Sequence, residues 1–168
     1  MLRAVASGYR SSHRYIKGPI TSFQLPWKIR IVSGLRTCAP LLEESDIMLV
    51  IEPLNTYVDH AGYYLWSSDE AFQIVGEVNS PNIKVLFDIY HQQIMEGNII
   101  PRIRKNINSI GHFHAAGSPG RHELDSGEIN YPNIFEAIGE AGYTGYIGLE
   151  YFPLKDAVEG LKKLSGKV

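Results

Sequence analysis

A layered α/β fold with a parallel sheet is predicted by three features of this 168-residue chain. Short apolar runs alternate with stretches of helical spacing, the order that gives parallel strands joined by right-handed crossovers. The runs are continuously apolar rather than alternating, as in strands covered on both faces. Four of them, at 47–52, 83–88, 110–114 and 146–150, end on Glu52, Asp88, His114 and Glu150. A charged group at a buried strand end is costly unless something compensates it. Four such ends favour a barrel, whose C-terminal strand ends converge, over an open sheet.

The elements follow in order. Residues 1–33 are rich in Gly, Pro, Ser and aromatics without a clear period, and are expected to be irregular or poorly ordered. Within them, 28–32 has the composition of an extra strand that could cover a sheet edge. The periodic unit is expected over 34–168. Leu35, Cys38, Leu41 and Leu42 have helical spacing and lead into the strand ending at Glu52. Ser67-Ser68-Asp69-Glu70 is a helix start, and Asn79-Ser80-Pro81-Asn82 stops that helix. After Asp88 come a short helix over 92–96 and another over about 99–107. A long Gly- and Pro-bearing loop, 116–130, follows His114. A helix over 131–141 has Pro132 in its first turn and closes at Gly142, and a last helix spans 156–164. Only four strands are legible, where a complete barrel has eight, so the fold class expected is an incomplete (β/α)8 TIM barrel of about four parallel strands with outer helices.

Composition narrows the function classes. Hydrophobic residues at 44% and charged residues at 20% fit an ordinary globular chain. Every apolar run falls well short of the roughly 20 residues that span a bilayer, so no membrane partner is expected. The lone Cys38 allows no internal disulfide and fits a reducing compartment, with a buried structural thiol expected. Net charge is −2, yet all 18 acidic residues lie after Leu42. The acid-free, Arg-bearing start resembles an organelle transit peptide, against a default cytoplasmic location. The acidic body disfavours nucleic acid.

Two Glu, one Asp and one His brought together by parallel strands form a ligand set for one hard divalent cation. Glu52 and Glu150 also suit proton transfer between adjacent carbons. Arg121, in a loop bracketed by Gly and Pro, is placed to grip a carboxylate bidentately. His112 shares a strand face with His114 and reads as a core or supporting histidine. Asn55 is close enough to Glu52 to orient a ligand. Tyr57, Tyr63 and Tyr64 read as packing and loop anchors.

Five segments in sequence carry a resemblance: Ile51-Glu52-Pro53-Leu54-Asn55, the stretch from Asp88 to Gly97, Pro119-Gly120-Arg121-His122-Glu123, Gly127-Glu128-Ile129-Asn130-Tyr131, and Gly145 to Tyr151. They resemble the xylose-isomerase-like TIM-barrel superfamily of sugar isomerases and epimerases, and within it the hydroxypyruvate isomerases. The resemblance implies that the four strands are the fifth to eighth of the barrel, the C-terminal half. It implies that Glu52, Asp88, His114 and Glu150 bind one Mn²⁺ or Mg²⁺, that Glu52 and Glu150 are catalytic, and that His91 contacts substrate together with Arg121. The implied activity moves a carbonyl between adjacent carbons through an enediolate, converting hydroxypyruvate to tartronate semialdehyde, with a small hydroxy-carbonyl acid or sugar as substrate. Three alternatives stand beside it. One is a non-catalytic truncated isoform or fragment. The second is a ketose 3-epimerase, whose pattern His114 matches. The third is an endonuclease IV-type nuclease, which shares Asp88-x-x-His91 but needs an Asp where Gly120-Arg121-His122 has none. Open barrel edges are expected to favour self-association.

Overall fold

Residues 83–88 illustrate how the sheet is built. In this run Ile83, Val85 and Phe87 are buried against helices, while Asp88 closes the strand. The computed structural model describes residues 4–6, 24–154 and 156–164. The elements are β1 (Ala4–Ala6), α1 (Gln24–Glu44), β2 (Leu49–Ile51), α2 (Ser68–Val78), β3 (Ile83–Asp88), α3 (Ile89–Met95), α4 (Ile99–Asn106), β4 (Ile110–Ala115), α5 (Tyr131–Glu140), β5 (Ile147–Leu149) and α6 (Ala157–Leu164). All strand pairs are parallel, in the order β1-β5-β4-β3-β2. Strands β2 to β5 are the four expected from sequence, and the helices between them are the crossovers.

Two apolar clusters fix the helices to the sheet. Phe87, Phe113, Ile103, Ile138 and Tyr131 pack α4 and α5 against β3 and β4, with the Phe87 and Phe113 rings edge to face at 6.1 Å. Val32, Ala71, Ile74, Val75 and Val85 join α1, α2 and β3. Helix starts follow local chemistry. Ser67 Oγ accepts from Glu70 N at the head of α2, and Asn79, at φ 58°, closes it. Asn130 accepts from Asn133 N at the head of α5.

Several expectations change here. Helix α1 begins at Gln24, inside the segment expected to be irregular, and runs unbroken past position 33. Residues 28–32 are therefore helical, not an edge strand. The reason is tertiary: Val32, Leu35, Ala39 and Leu42 form one stripe against α2 and the sheet. Residues 7–23, where much of the proposed transit segment falls, lie outside the described residues. The edge beyond β5 is covered by β1. Cys38 is exposed rather than buried, because it sits one position off the buried stripe of α1. Helix α3 starts at Ile89, three residues early, because Asp88 itself caps it.

Candidate active site at the strand ends

Sheet register brings the polar strand ends together. Asp88 lies opposite His114, and His114 lies opposite Gly148, two residues before Glu150. Glu52 follows β2 directly. One ligand atom from each of Glu52, Asp88, His114 and Glu150 lies within 4.8 Å of every other. His114 Nδ1 stands 3.0 Å from Glu150 Oε2 and 3.7 Å from Glu52 Oε1. Both His114 Nδ1 and Glu52 Oε1 are buried without an aligned hydrogen-bond partner among the described residues. The 3.0 Å His114–Glu150 approach is an ion pair. Orphaned buried atoms in an oxygen-rich donor set fit a hard divalent ion. Gly148 faces His114 and His112, and a Cβ there would meet both rings. The missing side chain makes room for them.

Asp88 divides its work between its two oxygens. Oδ1 accepts from Tyr90 N at 2.8 Å and His91 N at 3.4 Å, capping α3. Oδ2 faces the site, 3.5 Å from Arg121 Nη2 and 3.5 Å from His91 Nε2. An Asp between a strand and a helix is a local signal for such a cap, one that the expected helix start at 92 leaves unused.

Arg121 is set by its loop. Gly117 N donates to His122 O at 2.8 Å and Glu128 N to Ser118 O at 2.8 Å, tightening the 116–130 turn. Gly127 has φ 104°, and a Cβ there would strike the Ser118 carbonyl. Glu123 accepts from Leu154 N, and His122 Nδ1 lies 2.8 Å from Phe152 O, so the loop is fastened to the segment after β5. At its tip Arg121 adopts φ 57°, a strained conformation for a non-glycine residue, of the kind that gathers at functional sites. Its Nη2 contacts Glu150 Oε2 at 2.7 Å, its Nε donates to Glu150 O at 3.2 Å, and its guanidinium lies 5.2 Å from the Tyr90 ring centre. Tyr90 is a site residue that sequence reasoning missed.

The charges are strongly coupled. Burial, reinforced by the Glu52 charge, pushes Asp88 up to about 7. Burial alone would lower His114, but the Glu150 and Glu52 carboxylates facing its ring outweigh it and raise it to about 10. The His114 ring, opposed by burial and helped by Arg121, holds Glu150 down to about 2. Burial, then the Arg121 charge, drops His91 to about 3, so its imidazole is neutral.

The remaining candidates divide. His91 joins the site from below Asp88. His112 supports His114, their rings edge to face at 5.1 Å. Tyr64 donates to Glu70 at 2.6 Å and Tyr57 is exposed, so neither joins the cluster. Asn55 is fully buried against His91.

Known proteins share this frame. The family model described as xylose isomerase-like TIM barrel matches residues 11–166. The chain is 45% identical over 130 residues to the 2-oxo-tetronate isomerase of Cupriavidus necator, covering 77% of this chain and 50% of that protein. It is 37% identical over 132 residues to the hydroxypyruvate isomerase of Escherichia coli, covering 79% of this chain and 51% of that protein. A crystal structure from Brucella melitensis, described as an AP endonuclease of family 2, superposes with a TM-score of 0.81 at 35% identity, covering 85% of this chain and 55% of that one. The chain thus spans about half the length of the curated relatives it matches. Its strands β2 to β5 with their helices form an arc of a (β/α)8 barrel, and the chain belongs to the xylose isomerase-like TIM barrel family.

Proposed function

We propose that this chain carries the catalytic strand ends of a metal-dependent isomerase that converts hydroxypyruvate to tartronate semialdehyde. The observation that carries the reading is the convergence of Glu52, Asp88, His114 and Glu150 within 4.8 Å, with two of the donor atoms buried without an aligned hydrogen-bond partner among the described residues. Those four residues would hold one Mn²⁺ or Mg²⁺. When bound, the ion supplies Lewis-acid stabilisation of negative charge developing on two neighbouring substrate oxygens.

The chain's own residues do the rest. One of the carboxylates Glu52 and Glu150 removes a proton from the hydroxymethyl carbon, leaving an enediolate. A Glu returns a proton to the neighbouring carbonyl carbon, while the hydroxyl proton moves between the two oxygens. Atoms balance, and no redox partner is needed. Arg121 would bind the substrate carboxylate by exchanging it for part of its contact with Glu150. His91, neutral and buried, contacts substrate as a hydrogen-bonding group. The relatives described as hydroxypyruvate and 2-oxo-tetronate isomerases support a small hydroxy-carbonyl acid as substrate. Against a nuclease reading stand the acidic body and the absence of an Asp at Gly120 before the Arg121-His122 pair.

The deciding experiment is an assay of the chelator-stripped chain on hydroxypyruvate, before and after Mn²⁺ or Mg²⁺ is restored. Metal-dependent formation of tartronate semialdehyde is the expected result. Metal-independent turnover, or none with the ion bound at one per chain, would overturn the reading.

A further inference from the structure

Asn55 is fully buried in the loop after β2. Its Oδ1 accepts from Val58 N at 3.1 Å and from Asp59 N at 3.0 Å. Backbone N–H groups only donate, so these bonds fix which end of the amide is oxygen. The Nδ2 group then faces Asp59 Oδ2 at 2.7 Å and His91 Nδ1 at 2.7 Å. The Asn55 backbone N–H also points at His91 Nδ1, at 3.3 Å. Two donors converging on Nδ1 leave that nitrogen no room for a hydrogen of its own. In a neutral imidazole the hydrogen then sits on Nε2. His91 Nε2 is buried, has no hydrogen-bond partner among the described residues, and stands 3.5 Å from Asp88 Oδ2.

We propose that Asn55 is a positioning residue that locks His91 in the Nε2–H tautomer, so that His91 meets the substrate as a donor and not as a base. The tautomer stands on the hydrogen bonds alone, and only its consequence for turnover rests on the isomerase reading. The substrate atom against His91 must then be an acceptor oxygen, a carbonyl or the oxyanion that develops from it. Removal of the C–H proton is left to Glu52 or Glu150. Asp59 completes the lock, because it takes the second Nδ2 hydrogen and keeps the amide from rotating.

Long-range proton–nitrogen correlation spectra of the chain labelled with ¹⁵N-histidine read the tautomer of each of its six histidines. The His91→Gln variant identifies the His91 signals. The expected pattern is hydrogen on Nε2 in the wild type. In Asn55→Asp, where a carboxylate replaces the donor amide, that pattern should be lost as Nδ1 gains hydrogen. Wild-type His91 with hydrogen on Nδ1 overturns the proposal by itself, even if Asn55→Asp does not fold. A folded Asn55→Asp chain that keeps the wild-type pattern overturns the locking role. In an active preparation, Asn55→Asp should lower kcat by about 10–100-fold. An unchanged kcat with an altered tautomer would overturn the donor role of His91. Absence of activity in every variant would count against the isomerase reading and leave the spectral result intact.

Discussion

Asp88 and Glu52 end neighbouring strands and face the same cluster, yet their surroundings differ. Asp88 ends β3, an interior strand paired on both sides, with a side chain 1% exposed, one oxygen committed to the cap of α3 and the other to the site. Glu52 ends β2, the outermost strand on its side among the described residues, with a side chain 28% exposed and one oxygen without a partner. The lesson is that a site carboxylate in the interior of a sheet also becomes part of the fold's scaffold, whereas one on an edge strand is free to serve chemistry alone. Mutation should therefore separate activity from stability at Glu52 and damage both at Asp88.

The largest effect expected is on turnover. Glu52→Gln and Glu150→Gln keep size and remove a base, and each should lower kcat by about 10²–10⁴-fold at saturating metal. Glu52→Gln should change the unfolding midpoint little, whereas Glu150→Gln also loses the ion pairs to His114 and Arg121. Wild-type rates in both variants would sink the proton-transfer roles, and a large fall in thermal stability at Glu52 would erase the contrast with Asp88.

Next comes Asp88 itself. Asp88→Ala removes the α3 cap, worth about 1 kcal/mol, and should lower the unfolding midpoint by roughly 2–4 °C as well as weakening metal binding. Asp88→Asn keeps a good capping group and should retain that stability while still binding metal poorly. Calorimetry and metal titration of both variants test this; equal stability losses would show that the cap contributes nothing.

The pH dependence of the metal-free chain follows from the same charges. Asp88, raised from 3.8 to about 7, binds its proton more tightly in the fold, so its contribution is present at low pH and is lost as pH rises through 7. His114, raised from 6.5 to about 10, contributes fully below 6.5 and loses that contribution as pH rises through 10. Glu150, lowered from 4.5 to about 2, acts oppositely: its contribution is present above 4.5 and lost as pH falls through 2. His91, lowered from 6.5 to about 3, also gains as pH rises and offsets Asp88 below about pH 6.5. Thermal midpoints in chelator should thus decline between about pH 7 and pH 9, and saturating Mn²⁺ should flatten the decline because the ion would replace the His114 proton. A midpoint that climbs between about pH 7 and pH 9 in chelator contradicts the coupling.

Smaller effects are expected at the periphery. Arg121→Ala should mainly raise KM for an acidic substrate, and an unchanged KM would return Arg121 to a purely structural contact with Glu150. The edge of β2, unpaired among the described residues and with Ile47 56% and Met48 51% exposed just before it, should promote concentration-dependent association, read by light scattering after size exclusion. A monomer at all concentrations would show that the edge is protected.

The amino-acid sequence by itself determined the parallel strands, the crossover helices and the four polar strand ends, because continuous apolar runs, helix caps such as Ser67 and stops such as Asn79 are local signals. It also exposed the loop around Arg121 through its glycines and prolines. Three things waited for tertiary structure. Helix α1 extends back to Gln24 because Val32 and Leu35 find α2 and the sheet, a contact that no local period announces. Cys38 is exposed because the buried stripe is chosen by what packs against it. The pairing of Asn55 with His91, and of Tyr90 with Arg121, joins residues about 30 positions or more apart in the chain, and only the register of β2, β3 and β4 brings them within a hydrogen bond or a ring contact. Local chemistry selects the elements, while the hydrogen of a buried imidazole is assigned by neighbours that the chain meets only when folded.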